Sequence, residues 1–241
     1  MSGQSTVFRR VEAMLLIGFA GLLFLGTHFG LSSTPLRGVL TARLGERGYL
    51  GLYALLAVAT LSYLIWLYGQ LPRYDYFWLP SPDLYLIPKI VMPLALILLV
   101  GGFMVKNPTN VGAEGLLKDP AEGDLARGVT RITRHPFQWG VVLWALSHLV
   151  ANGDSISVVF FCTFALLSGI GTVLIDRKKA LTLGADWLPY LDQTSNLPFG
   201  AIVTGRNRLV VAELWLPVVV GLVLYVGLFW GHVWVAGVRI L

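Results

Sequence analysis

Six stretches of apolar residues, near 11–31, 47–71, 84–105, 136–151, 155–175 and 209–235, most limit what this chain can fold into. Most are close to the ~20 residues that a helix needs to cross a bilayer. Core helices of soluble domains seldom run that long without charge. Charge is scarce throughout. Only 13% of the residues are Asp, Glu, Lys or Arg, while 56% are hydrophobic. A soluble domain carries about 25% charged residues, so this surface cannot face water all round. The pattern predicts an all-α, polytopic transmembrane helix bundle of about six helices, with residues 1–241 forming a single membrane domain whose first partner is the lipid bilayer.

Local signals place the ends of these segments. Arg9 and Arg10 precede the apolar run that begins at Ala13, and Gly26-Thr27-His28 is a poor cleavage site, so the first helix is expected to stay uncleaved. Pro35, Pro72 and Asn107-Pro108 follow the first three segments, and Asn152-Gly153-Asp154 turns the fourth tightly into the fifth. The aromatic and proline-rich stretch 74–82 reads as an interfacial loop, where Tyr and Trp prefer to sit.

Lys and Arg set the expected orientation. Arg37, Arg43, Arg47, Lys106, Lys118, Arg127, Arg131, Arg134, Arg177, Lys178, Lys179, Arg206 and Arg208 follow helices one, three and five. The other side holds Arg9, Arg10, Arg73 and Arg239, with Lys89 near the start of helix three. The positive-inside rule then makes 106–134 and 176–208 cytoplasmic loops and puts both termini outside the cytoplasm. The second of these loops is expected to lie along the membrane surface. The net charge of +5 does not indicate a nucleic-acid partner, because the cations sit at the ends of apolar runs.

One cysteine, Cys162, excludes an intrachain disulfide and any metal site built from cysteines. The histidines are more informative. His28, His135, His148 and His232 all lie in or beside apolar segments. Ionisable groups at membrane depth are costly and face the bundle interior, and imidazole is a common ligand for haem iron, zinc and copper. The ordinary alternative is a histidine hydrogen-bonded across helices. Helical rise puts His28 and His148 roughly 10 Å apart in depth. A haem between helices tolerates such an offset, whereas a zinc ion with ~2 Å bonds does not. If helix one stops near Leu31, His28 and His135 become the closer pair. Arg134-His135-Pro136 opens helix four with proline in the first turn. There Arg131 and Arg134 can bind an anion or anchor at headgroups. Glu213 is expected to pair with a nearby arginine.

The stretch RHPFQWGVVLWALSHLVANGD (134–154) resembles the core motif of the NnrU family of bacterial membrane proteins. The segment 175–208 follows the same pattern, with Asp176-Arg177, Gly184, Trp187, Thr194-Ser195, Pro198-Phe199 and Gly205-Arg206. His28, the Gly45–Tyr49 stretch and Gly231-His232 fit as well. The resemblance implies a bacterial inner-membrane protein linked to denitrification. Through the related 15-cis-zeta-carotene isomerases it also implies haem b, with His28 and His148 as the iron ligands. A cysteine expected three residues before the second histidine is Ala145 here. More distantly, Arg134-His135-Pro136 with Gly140, Leu181, Gly184, Trp187, Tyr190 and Leu197-Pro198-Phe199 resembles the isoprenylcysteine carboxyl methyltransferases. That likeness implies S-adenosylmethionine held by Arg134 and His135.

Three functions follow as expectations. The first is a haem-b protein with a redox or redox-gated isomerase role on a lipophilic substrate. The second is a cytoplasm-facing methyltransferase of a lipid-like substrate. The third is a non-enzymatic assembly factor for a respiratory reductase of nitrogen oxides.

Overall fold

The computed structural model describes residues 2–110, 113–117, 125–238 and 240, so Lys118 and Arg239 lie outside the described residues. Among the described residues the chain is all-α. Its helices are α1 (Ser2–Ser33), α2 (Leu36–Gln70), α3 (Pro82–Met104), α4 (Pro136–Asn152), α5 (Ser155–Leu183), α6 (Leu188–Gln193), α7 (Gly200–Val203) and α8 (Trp215–Ala236). One isolated bridge joins Tyr76 to Asp154.

Five helical stretches are long and apolar enough to cross a membrane: Arg9–Ser33, Leu36–Gln70, Pro82–Met104, the stretch that starts at Ser155, and Trp215–Ala236. The remaining expected segment is also a helix, α4. Its 17 residues span about 26 Å at helical rise, just short of a ~30 Å hydrocarbon core.

Several boundaries differ from the expected ones, among them the starts of α1 at Ser2 and of α8 at Trp215, and three have a plain physical reason. Helix α1 runs to Ser33, past Leu31, and Tyr49 donates to the Leu31 carbonyl at 3.0 Å to hold its end. Helix α2 starts at Leu36, because 36–44 is helical despite its arginines. Gly45 (φ 72°, ψ 167°) then breaks the helix in a conformation that glycine adopts at no steric cost. Helix α5 continues through Arg177-Lys178-Lys179 to Leu183, so part of the expected loop 176–208 is helix.

The chain divides into two compact units, one of residues 1–81 and 148–167, the other of residues 82–147 and 168–241. In the first, α1 lies against α2, and it meets α5 where Gly21 faces Thr163. A Cβ on Gly21 would sit 2.6 Å from the Thr163 hydroxyl. The turn between α4 and α5 admits only glycine at 153, which has φ 71° and whose Cβ would lie 2.2 Å from the Trp78 carbonyl. The Trp78 indole N–H donates to the Val150 carbonyl at 2.8 Å and fixes that approach.

The second unit packs by small-residue contacts, as membrane helices do. Gly221 of α8 lies on Ile97 of α3, and Gly140 of α4 lies on Ala95 and Leu99 of α3. A Cβ at Gly140 would stand 2.7 Å from the Ala95 carbonyl oxygen. Backbone cannot yield as a side-chain tip can, so Gly140→Ala should cost about 1–3 kcal/mol. Gly26 has nothing within 4 Å of its would-be Cβ, so Gly26→Ala should be neutral or stabilising by up to about 1 kcal/mol. Thermal unfolding of the two variants in mild detergent checks the contrast.

Candidate functional site

The Arg134-His135-Pro136 motif is the centre of a buried polar network in the second unit. Pro136 begins α4, where its missing N–H costs nothing. Arg134 donates to Asp176 of α5 through two nitrogens, Nε to Oδ1 at 2.8 Å and Nη2 to Oδ2 at 2.6 Å. His135 Nε2 bonds Oδ1 at 2.8 Å, and Asn196 Nδ2 donates to Oδ2 at 3.2 Å. A carboxylate bridged by a guanidinium only accepts. His135 therefore carries its hydrogen on Nε2 and its lone pair on Nδ1. That Nδ1 is buried and has no hydrogen-bond partner. Burial, above all, lowers the imidazole's pKa from 6.5, against the opposing pull of Asp176.

The backbone around the motif is equally fixed. The Arg134 N–H donates to the Ser195 carbonyl. The Arg134 carbonyl accepts from Asn107 Nδ2 and from the Thr109 hydroxyl, both at 3.0 Å. Tyr190, fully buried, donates to Asn107 Oδ1 at 3.2 Å. Arg131 is bound by Glu213, Nε to Oε2 at 2.8 Å and Nη2 to Oε1 at 2.9 Å, and its Nη1 donates to Asn207. The expected partner of Glu213 is thus Arg131. Both arginines, considered above as anion binders, bond carboxylates of the chain itself.

His28 and His148 both belong to the first unit. His28 is half-buried, and its Nδ1 donates to the Phe24 carbonyl at 2.8 Å, since a carbonyl only accepts. Nε2 of the neutral ring is then the nitrogen with the lone pair. A backbone carbonyl on one nitrogen is the usual means of orienting a metal-ligating histidine. Phe24 and Tyr53 flank the ring edge-on, at 4.3 and 5.7 Å between centroids. The His148 ring lies 5.5 Å from Phe161.

A chain of ring contacts joins the two histidines. Phe24 meets Phe164 at 5.6 Å, Phe164 meets Phe160 at 5.1 Å, and Phe160 meets Phe161 at 5.3 Å. Ala13 and Ile156 line one small cavity, while Phe24 touches Phe164, so α1 and α5 run in the same direction. His28 is one turn beyond Phe24, and Phe164 three residues beyond Phe161, which offsets the backbone positions of the two histidines by about 10 Å along the helices. Metal–imidazole bonds are short, ~2 Å for zinc, so side-chain reach must close that backbone offset for any shared ion. Among the described residues no cluster of three or more His, Cys, Asp or Glu side chains could hold a metal ion. For haem b the donor chemistry of His28 fits, since its Nε2 carries the lone pair that could bind iron. His148 stands at the far end of the phenylalanine chain, and the two imidazoles are not stacked face to face.

His232 Nδ1 donates to the Val238 carbonyl at 2.8 Å, near the end of α8. Ala145 is fully buried, and Cys162 is a half-buried free thiol on α5.

The polar network makes stability depend on pH in a definite direction. The unfolded His135 ring takes up a proton near pH 6.5 and the folded ring only at lower pH. The unfolded state therefore binds more protons below pH 6.5, and stability is full above that pH and lost as pH falls. Arg131 holds the Glu213 carboxyl below its usual 4.5, so Glu213 adds a loss of the same sign at lower pH. The thermal midpoint in detergent should fall between neutral pH and about pH 5, and His135→Asn should flatten the upper part of that fall.

The family described as NnrU protein matches residues 14–240. Among curated proteins, the chloroplastic 15-cis-zeta-carotene isomerase of Arabidopsis thaliana is 29% identical over 195 residues, 78% of this chain and 50% of the relative. The chloroplastic 15-cis-zeta-carotene isomerase of Zea mays is 36% identical over 84 residues, 34% of this chain and 22% of the relative. The chain thus spans half or less of the length of these relatives. No solved structure matches. A family match over nearly the whole chain, on five helices able to cross a bilayer, makes this a multi-pass membrane protein of the NnrU family.

Proposed function

We propose that this protein binds haem b, which His28 and His148 would hold, and isomerises a lipophilic substrate in a bacterial inner membrane. The observation that carries the reading is the His28 Nδ1–Phe24 carbonyl bond. It selects the tautomer whose Nε2 can bind iron and aims that nitrogen away from its own helix turn. Similarity to two isomerases by name supports the reaction class. The link to denitrification rests on the family resemblance, and the placement of both termini in the periplasm rests on the positive-inside rule.

The role of each part of the chain follows. When bound, haem b would supply a redox-active iron whose potential the axial ligands set. Phe24 would orient His28 through its carbonyl and shield it with its ring. Phe160, Phe161 and Phe164 would keep water from the space beside the imidazoles, which strengthens electrostatic interactions there. Close approach of α1 and α5 at Gly21 and Thr163 would hold the histidine-bearing turn in place. Arg134 and His135 take no part in this reading, since Asp176 engages both.

Detergent-solubilised protein, expressed with haem precursor supplied, should show a Soret band that shifts on reduction. His148→Ala should alter the oxidised spectrum while leaving some haem bound to His28. A colourless wild-type protein would overturn the proposal.

A further inference from the structure

The segment between α6 and α8 carries apolar side chains that neither a spanning helix nor the core accounts for. Leu197 is 66% exposed, Val203 84% and Val211 71%, and Phe199 is also exposed. None lies in a membrane-crossing helix. The charged residues of 194–211 are Arg206 and Arg208, both cations and both exposed.

This surface is rigid. Phe199 has φ 64°, the only positive φ outside glycine among the described residues. A bulky side chain in that region is strained and persists only where surrounding bonds over-determine it. Those bonds are present. The Phe199 N–H donates to the Ile132 carbonyl at 2.7 Å. Ser195 Oγ donates to the Leu197 carbonyl and accepts from the Ala201 N–H. Arg206 Nη1 donates to the carbonyls of Leu191, Asp192 and Thr194. Trp139 Nε1 and the Thr133 hydroxyl both donate to the Asn196 carbonyl. The buried network therefore holds a strained turn whose apolar side chains point outward.

Exposed apolar groups rimmed by cations, continuous in sequence with the start of spanning helix α8, match the boundary between acyl chains and anionic headgroups. We propose that residues 195–211 form a preorganised interfacial wedge. Leu197, Phe199, Val203 and Val211 enter the acyl boundary of one leaflet, and Arg208 and the Nη2 of Arg206, whose Nε and Nη1 bond the turn itself, bind phosphates of anionic phospholipids there. The partner is lipid of the membrane that the chain itself spans. The cations supply selectivity for anionic lipid, and the fixed turn spares the ordering entropy of a flexible loop.

Site-directed spin labelling of the full chain, in a Cys162→Ser background, tests this. Nitroxides attached at Val203→Cys and at Asp192→Cys are compared in liposomes of equal parts phosphatidylcholine and phosphatidylglycerol. The label at 203 should collide more with oxygen than with a water-soluble nickel chelate, and the label at 192 should show the reverse. Replacing phosphatidylglycerol by phosphatidylcholine should move the label at 203 toward the aqueous reading, as should Arg208→Gln. A label at 203 that reads as aqueous as that at 192, or that ignores the anionic lipid, would overturn the proposal. Shielding from both reagents would place a protein on this surface and overturn it as well.

Discussion

One carboxylate, that of Asp176, holds the second unit together. It accepts from Arg134, His135 and Asn196 at once. Those donors come from the entry to α4 and from the turn after α6, while Asp176 itself lies on α5. Removing a charge from water is expensive, and a low-dielectric site returns that cost only when the pairing is complete. Completeness explains the surroundings. Asn107, Thr109 and Ser195 secure the backbone of Arg134, and Tyr190 secures Asn107. The rigid turn at Phe199 hangs from the same residues, because the Phe199 N–H reaches the Ile132 carbonyl two residues before Arg134.

The spanning helices were legible in the sequence because apolar length is a one-dimensional signal. Helix existence followed from it, and so did the tight turn at Gly153. Helix extension did not. Residues 36–44 and 176–183 are helical although they carry arginines and lysines, because long charged side chains can carry their heads to water or to a polar partner, as Lys179 Nζ does at the Asn110 carbonyl. The short α4 shows the other limit, since a run of apolar residues does not fix how far the helix reaches across a bilayer.

The candidate site was legible in part. The Arg134-His135-Pro136 motif stood out, but its role depends on Asp176, which is 42 residues from Arg134 in sequence, and on Asn196 beyond that. Pairings of that range leave no local pattern, so two donors that looked available for a ligand are bonded within the chain. For His28 and His148 the depth offset of about 10 Å followed from helical rise alone. The phenylalanines that join the two rings did not, because aromatics at such spacings look like ordinary packing. The bond from His28 to Phe24 spans four residues on one helix, a separation readable from sequence once the residue is known to be helical.

The histidines divide between two tasks, with His135 serving the fold and His28 serving the proposed haem. Bound haem per mole and thermal midpoint, measured side by side on purified His28→Ala and Asp176→Asn, test that division most directly. The account predicts that His28→Ala loses haem and keeps its midpoint measured without haem. It predicts that Asp176→Asn keeps haem and loses stability on the order of 3 kcal/mol, the cost of stranding a buried charge. Haem lost from a stably folded Asp176→Asn protein, with haem retained in His28→Ala, would contradict it.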